Sequence, residues 1–337
     1  MRLAFIGFRH AHIMGLYAAA RRHPDVQVVA ACEEHAPVAA RLRSEGNVEI
    51  THDCYTRMLD EVPCDAVAVG DCYGRRGAII IEALARGLHV ISDKPICTRR
   101  EELSAIAALS QQKRLCVGCL LDMRGSGAMR TVRRLISEGA IGPVHAVNFT
   151  AQHPLLYGTR PMWYFEPGVH GGTINDIGIH AFDIIPHVTG RRIAAVVAAR
   201  VWNARLAEHP HFQDGAQMML RLDNGGGVLG DMSYLAPDGC GYVLPQYWRM
   251  TFWGSGGMIE YRGDNAPVLL AQHADKQPRQ VPPEQTVPDA PLRAFLSEVS
   301  GGQASPSTAD VLRASRLALE TQHAAETGQR DLEIQQS

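Results

Sequence analysis

Only three of the 33 basic residues in this 337-residue chain are lysines, at positions 94, 113 and 276. Lys94 stands in Ser92-Asp93-Lys94-Pro95, directly after the apolar run His89-Val90-Ile91. That run is short enough to be a buried parallel strand, and the polar corner with its proline cannot continue a ladder. Lys94 is therefore expected where a strand ends, and open α/β sheets bind ligands outside the carboxyl ends of their strands. An ammonium at such a place is a compact three-donor cation whose acidity responds to desolvation, which a guanidinium does not offer.

A second constellation lies in the stretch 171–187, which begins Gly171-Gly172. At 3.6 residues per turn Asp176, His180, Asp183 and His187 fall on one stripe, flanked by Ile177, Ala181, Ile184, Ile185 and Val188 as the buried face. Pro186 is expected to distort or end that helix. A carboxylate and an imidazole four residues apart can share a proton or jointly hold a hydroxyl; alternatively Asp176 caps the helix and His180 is satisfied in the core. Just upstream, His153, Tyr157, Arg160, Trp163 and Tyr164 form a polar-aromatic loop. It could wall a bound ligand, or simply pack as loop.

The first turn reads Gly7-Phe8-Arg9-His10-Ala11-His12 where a dinucleotide fingerprint would read G-x-G-x-x-G. Gly7 can make the tight turn, but Arg9 stands where a missing side chain would let the backbone approach a pyrophosphate. Glu33 follows the next apolar run at the distance where a carboxylate accepts from both ribose hydroxyls of NAD. No arginine follows it immediately in Cys32-Glu33-Glu34-His35, so a 2'-phosphate would meet negative charge, and NAD is favoured over NADP. A helix-start carboxylate is the other reading of Glu33. His10 and His12 would lie beside the cofactor phosphates; H-x-H after a first strand also opens some metal-dependent hydrolases.

The elements that must position these residues are legible. Residues 1–119 alternate apolar runs (3–6, 26–31, 66–69, 89–91, 115–119) with helical patterns (13–22, 36–44, 77–86, 101–111), which predicts right-handed crossovers and a doubly wound parallel sheet. After a helix over 126–139 the character changes. Strand-like runs at 144–150, 194–201, 216–222, 227–234, 247–252, 258–261 and 268–271, with a turn at Asp223-Asn224-Gly225, predict an open, mostly antiparallel sheet with helices on one face. A Pro-rich loop is expected over 277–291, then closing helices over 291–300 and 308–327. The expected domains are a nucleotide-binding domain over 1–119 and an α+β domain over 120–337 for substrate and oligomerisation, with closing helices able to pack back on the first.

Length and composition agree with two domains. At 46% hydrophobic and 20% charged residues with a formal charge of -2, the chain reads as a soluble globular protein that recruits neither nucleic acid nor a membrane. A strand-like run directly after Met1 and the lack of a long apolar stretch place it in the cytoplasm. The eight cysteines are scattered, and Cys116-Val117-Gly118-Cys119 sits in an apolar run without a second pair, so buried thiols are expected.

With these motifs together, the chain resembles the Gfo/Idh/MocA oxidoreductases, the family of glucose-fructose oxidoreductase and inositol dehydrogenase. The resemblance runs through Cys64-Asp65-Ala66-Val67-Ala68-Val69, the stretch 82–90, Asp93-Lys94-Pro95, the stretch 136–142, Gly171-Gly172 to Asp183, and Ser305-Pro306-Ser307-Thr308-Ala309-Asp310. Family members usually carry Glu-Lys-Pro where this chain has Asp93. At Asp71-Cys72-Tyr73-Gly74-Arg75-Arg76 the family commonly has a Thr-Pro-Asn turn followed by a histidine.

The resemblance implies an NAD-dependent dehydrogenase acting on a secondary alcohol of a sugar, cyclitol or related polyol. His180 would take the hydroxyl proton, an imidazole being suited to this by an unperturbed pKa of roughly 6.5. Asp176 would hold the imidazole or a neighbouring hydroxyl, and Lys94 would stabilise the oxygen as it gains charge. The cofactor would be held by Gly7, Phe8, Arg9, His10, His12, Glu33, Asp71, Cys72, Asp93, Lys94 and Pro95. The substrate would meet His153, Tyr157, Arg160, Trp163, Tyr164, Asp176 and His180. Family members form dimers or tetramers through the second sheet, and the same is expected here. No metal is expected, because a metal-hydrolase reading of His10 and His12 leaves Asp93-Lys94-Pro95 unexplained. The rivals are an enzyme that retains NAD, as glycosidase or sugar-sugar oxidoreductase, and a non-catalytic dinucleotide sensor.

Overall fold

The structure, a computed structural model, describes residues 1–263 and 266–334. It divides into two compact units. The first comprises Met1–Leu121 with Gly168–Gly171 and Asp289–Arg313. Its elements are β1 (Arg2–Ile6), α1 (His12–Arg22), β2 (Gln27–Cys32), α2 (Ala36–Glu45), α3 (Tyr55–Glu61), β3 (Ala66–Val69), α4 (Tyr73–Ala85), β4 (His89–Ser92), α5 (Arg100–Lys113) and β5 (Val117–Cys119). The sheet order is β2-β1-β3-β4-β5, every pair parallel.

The central strands are short and buried on both faces, as Ala66-Val67-Ala68-Val69 is throughout, because helices cover the sheet. The direction of winding reverses between β1 and β3, so the turns after these two strands flank the switch point where such folds take their ligands. The predicted strands and helices are all present within a few residues. The short α3 was not anticipated, since seven residues carry too little periodicity to signal a helix.

The second unit comprises Asp122–Pro167, Gly172–Pro288 and the chain from Ala314 onward. It holds α6 (Gly127–Ser137), β6 (Val144–Pro154), α7 (Ile179–Thr189), β7 (Ile193–Trp202), β8 (Gly215–Leu222), β9 (Gly227–Ala236), β10 (Arg249–Gly254), β11 (Gly257–Tyr261), β12 (Val268–Gln272) and β13 (Arg279–Val281). Two further helices, α8 (Ala290–Val299) and α9 (Thr308–Thr327), and the two-residue β14 (Leu332–Glu333) close the chain, with α8 falling in the first unit. The sheet order is β13-β12-β11-β10-β6-β9-β8-β7-β14. Only β6 and β9 pair in parallel. One face of this sheet buries Val147, Phe149, Met218, Leu220, Val228, Met232, Phe252 and Ile259.

Several boundaries differ from the sequence reading. The expected loop over 277–291 contains β13, which pairs with β12 as an edge strand. Tyr247 and Trp248 precede β10 instead of opening it. His153 is not in a loop but near the end of β6, which runs four residues further than expected. Pro186 stays inside α7 without ending it; the stop is Gly190, at φ 66°. The helix over 174–189 also opens with a wide π-type turn, Ile174–Gly178, before α7.

Candidate active site

In the first unit, the turn after β1 is fixed by a contact only glycine permits. Gly7 has φ +77°, and a Cβ there would lie 2.6 Å from Asp71 Cβ and 2.7 Å from its backbone nitrogen. Gly70 is equally tight, with a built Cβ 2.4 Å from Ile13 Cβ. The close approach that the fingerprint would obtain from its second glycine is thus made in part by a glycine of the neighbouring strand's turn. Arg9, at the vacant position, folds over: its Nη1 lies 3.4 Å from Cys72 Sγ and 3.8 Å from Asp71 Oδ1. Asp71 Oδ1 accepts the Cys72 N–H at 2.7 Å, and burial pushes the Cys72 thiol up to about 11.

Glu33 is buried, and its two oxygens accept the backbone N–H groups of Phe8 at 2.6 Å and His35 at 2.7 Å. Burial raises its pKa above the ordinary carboxylate value, with those two bonds opposing. Glu33 therefore braces the first turn, and the Phe8 ring packs beneath it on Phe5 and Tyr17. Beside it Glu34 pairs with Arg75, which also reaches Asp71 at 3.0 Å. Arg75 is a residue the sequence reading did not place here, because it comes from α4.

The Lys94 corner is held from below by Arg76, whose guanidinium is fully buried. Its Nε donates to Asp71 O (2.8 Å), Nη1 to Lys94 O (2.6 Å) and Pro95 O (3.1 Å), and Nη2 to Asp93 Oδ2 (3.1 Å). It also lies 4.6 Å over the Tyr73 ring. Asp93 Oδ1 accepts the Lys94 N–H at 2.7 Å. Burial alone would raise the Asp93 carboxyl, but its contacts with His10 and the Arg76 guanidinium outweigh it and hold it well below the usual range. His10 bonds Asp93 through Nδ1 and the Tyr73 hydroxyl through Nε2 (3.1 Å), while His12 Nδ1 stands 3.4 Å from Asp93 Oδ1. Lys94 itself is almost wholly buried, and the Lys94-Pro95 peptide is cis.

The second unit assembles the other constellation around aromatic rings. Asp176, in the wide turn, accepts a short hydrogen bond from the Tyr234 hydroxyl of β9. Burial and the Asp176 charge push the Tyr234 phenol well above its ordinary range, so it remains a donor. His180 lies 4.9 Å from the Trp248 ring, and His153 lies 5.0 Å from the same ring and 4.7 Å from Tyr247. Arg160 is half-buried over Tyr164 (4.7 Å) and Tyr234 (5.2 Å), with Nε and Nη2 donating to Leu155 O and Pro154 O.

Trp163 stacks on Tyr164 at 4.2 Å. Tyr157 stands apart and half exposed, its hydroxyl 2.9 Å from His209 Nε2. Asp183 is taken by Arg124 Nε at 2.9 Å. Of the predicted stripe, Asp176, His180 and Asp183 are buried and each meets a different element, while His187 is only half-buried. Tyr234, Trp248 and Arg124 are the partners that sequence reasoning missed, since no local pattern links them to the helix.

A dinucleotide fits the first unit. The two glycine contacts bring the turns after β1 and β3 together at the switch point, α1 has no acidic residue in its first turn to repel a phosphate, and Glu33 stands at the end of β2. The backbone of the first turn, Arg9 and His12 could hold the phosphates. In the second unit a buried carboxylate, two imidazoles, an arginine and stacked rings can hold and deprotonate a polyhydroxy compound.

Comparison with known proteins shows the fold and the family. The model of an oxidoreductase family with an NAD-binding Rossmann fold matches residues 1–119, and that of the GFO/IDH/MocA C-terminal domain matches residues 129–260. The chain is 23% identical over 203 residues to levoglucosan dehydrogenase of Pseudarthrobacter phenanthrenivorans, covering 59% of this chain and 51% of that protein. It is 26% identical over 169 residues to an NADP-dependent scyllo-inositol 2-dehydrogenase of Bacillus subtilis, covering 49% and 46%. The chain thus matches about half the length of these curated relatives. Among solved structures, an oxidoreductase from Thermotoga maritima superposes with TM-score 0.86 at 25% identity, over 99% of this chain and 100% of that one. A levoglucosan dehydrogenase in complex with NADH superposes with TM-score 0.82 at 19% identity, over 100% of both chains, a likeness of fold.

Proposed function

We propose that this chain, which belongs to the Gfo/Idh/MocA oxidoreductase family, is an NAD-dependent dehydrogenase acting on a secondary alcohol of a sugar, cyclitol or related polyol. The observation that carries the reading is the buried corner in which Arg76 and Asp93 fix the backbone of Lys94, beside a first turn with the glycine contacts of a dinucleotide site. NAD, the cofactor of this Rossmann family, supplies a hydride acceptor when bound.

His180 accepts the proton of the substrate hydroxyl, and Lys94 stabilises the negative charge that grows on that oxygen. Asp176, oriented by Tyr234, holds a neighbouring hydroxyl. Arg160, Trp163, Tyr164 and His153 form the wall against which the ring lies, and Tyr157 stands at its outer end. Gly7, Phe8, Arg9, His10 and His12 hold the phosphates, Asp71, Cys72, Asp93 and Pro95 shape the adjoining turns, and Glu33 offers its remaining lone pairs to a ribose hydroxyl. Arg75 supports NAD over NADP, because Glu34 and Asp71 already balance its charge.

In this reading residues 1–119 hold the nucleotide and 120–337 the substrate and the subunit interface. The enzyme works in the cytoplasm as a homodimer or homotetramer. The open face of the large sheet, where Met219, Leu229 and Trp253 are exposed, is the surface for that association. Among the described residues no helix is long and apolar enough to cross a membrane.

Calorimetric titration with NAD and with NADP, followed by screening polyols for NADH formation, tests the proposal. Tighter binding of NAD and absorbance growth with a polyol are expected. Failure of both nucleotides to bind would overturn it.

A further inference from the structure

Three metal-ligating side chains of the first unit converge where the sequence reading favoured cofactor contacts and set a metal-hydrolase reading of His10 and His12 aside. Ligand atoms of His10, His12 and Asp93 all lie within 4.8 Å of one another. A tetrahedral ion with bonds of about 2.1 Å separates its ligand atoms by about 3.4 Å. His12 Nδ1 and Asp93 Oδ1 are 3.4 Å apart, and the His10 and His12 rings meet edge to face with centroids at 4.4 Å.

We propose that His10 Nδ1, His12 Nδ1 and Asp93 Oδ1 bind one divalent transition-metal ion of the imidazole-preferring class, zinc foremost. Two imidazoles and one carboxylate suit zinc or cobalt and not magnesium or calcium, which take oxygen ligands. The supporting shell that orients metal ligands is also present. The Tyr73 hydroxyl faces His10 Nε2 at 3.1 Å, Arg76 holds Asp93 Oδ2 at 3.1 Å, and the Lys94 N–H holds Oδ1 at 2.7 Å.

Binding needs no net loss of a proton. A neutral His10 needs only the tautomer with its proton on Nε2, facing the Tyr73 oxygen, and its Nδ1 lone pair goes to the ion. Asp93 and Arg76 cancel one another, so this pair leaves the ion's own two charges uncompensated. Its remaining position, on the side of the half-exposed His12, is left to water or an anion. This proposal departs from the expectation of no metal and does not rest on the dehydrogenase reading, since the ion needs neither nucleotide nor polyol.

The test uses untagged full-length protein stripped with a chelator and titrated, without nucleotide, with Co²⁺ followed by visible absorption and with Zn²⁺ followed by calorimetry. One saturable ion per chain, with the bands of a low-coordinate nitrogen and oxygen site, is expected. His12→Ala, whose side chain is 55% exposed, should fold and lose saturable binding. Tyr73→Phe should weaken Zn²⁺ binding by about 10–100-fold. Mg²⁺ should give no heat above dilution. Lack of saturable binding to the wild type, or binding that His12→Ala leaves intact, would overturn the site. Either result leaves NAD titration of the same sample as a separate measurement.

Discussion

Arg76 Nη1 donates to the carbonyl oxygen of Lys94 at 2.6 Å. The contact ties the only buried guanidinium on α4 to the residue that is to meet the reacting oxygen, and the same side chain holds Asp93 and Asp71. Removing it leaves the Asp93 charge buried beside unsatisfied carbonyls. Arg76→Met should therefore cost about 3–5 kcal/mol in urea unfolding. Arg76→Lys, which keeps charge but not the planar fork, should fold and lower kcat more than it raises KM. Equal losses in both would show that Arg76 only supports the fold.

Gly7 and Asp71 make the complementary contact on the nucleotide side. Gly7→Ala puts a methyl 2.6 Å from Asp71 Cβ at φ +77°. The strain should cost about 1–3 kcal/mol, and NAD affinity should fall because the two turns must part. Calorimetry of a variant that still melts cooperatively reads this directly; unchanged affinity would place the nucleotide elsewhere.

Much of this was legible in the sequence because it is carried by local patterns. The parallel sheet followed from short apolar runs such as 66–69, and Lys94 at a strand end followed from Ser92-Asp93-Lys94-Pro95. What was not legible is long-range pairing. Arg76 stood in the sequence as a departure from a family turn, and nothing near it told that it would be buried under Lys94, 18 residues on. Gly70 drew no reading in the sequence, yet it supplies part of the close approach that the first turn lacks. The flank of Ile177, Ala181, Ile184, Ile185 and Val188 was read as the buried face, and it is buried, but so are Asp176, His180 and Asp183 of the polar stripe, and the wide turn at Ile174–Gly178 changes the spacing that an ideal helix would give. Their partners Tyr234, Trp248 and Arg124 arrive from distant segments.

Lys94→Ala and His180→Ala should each lower turnover by about 10²–10⁴-fold while changing NAD affinity only a few-fold. Steady-state NADH formation and nucleotide titration on the same preparations check this. Loss of NAD binding in both folded variants would mean that the two residues do not have the roles proposed.

Tyr234→Phe removes the hydroxyl that Asp176 accepts with almost no change in volume. The buried carboxylate then lacks that donor, at an expected cost of about 1–3 kcal/mol. If Asp176 positions a substrate hydroxyl, kcat/KM should fall by about tenfold, equivalent to ~1.4 kcal/mol. A stability loss with unchanged kinetics would restrict Tyr234 to the core.

His89 offers a pH prediction independent of the site. Its Nδ1 accepts the Cys116 N–H at 3.0 Å, joining the starts of β4 and β5, and burial lowers its pKa below the ordinary 6.5. Between the lowered folded value and the unfolded one, the unfolded chain binds more protons, so the contribution of His89 to stability is complete above pH 6.5 and is lost as pH falls through the folded value. His89→Asn supplies an acceptor oxygen without a titrating ring. Urea unfolding between about pH 5 and pH 7.5 should then show a shallower acid loss in the variant, and coincident slopes would mean that the ring is protonated without losing the Cys116 bond.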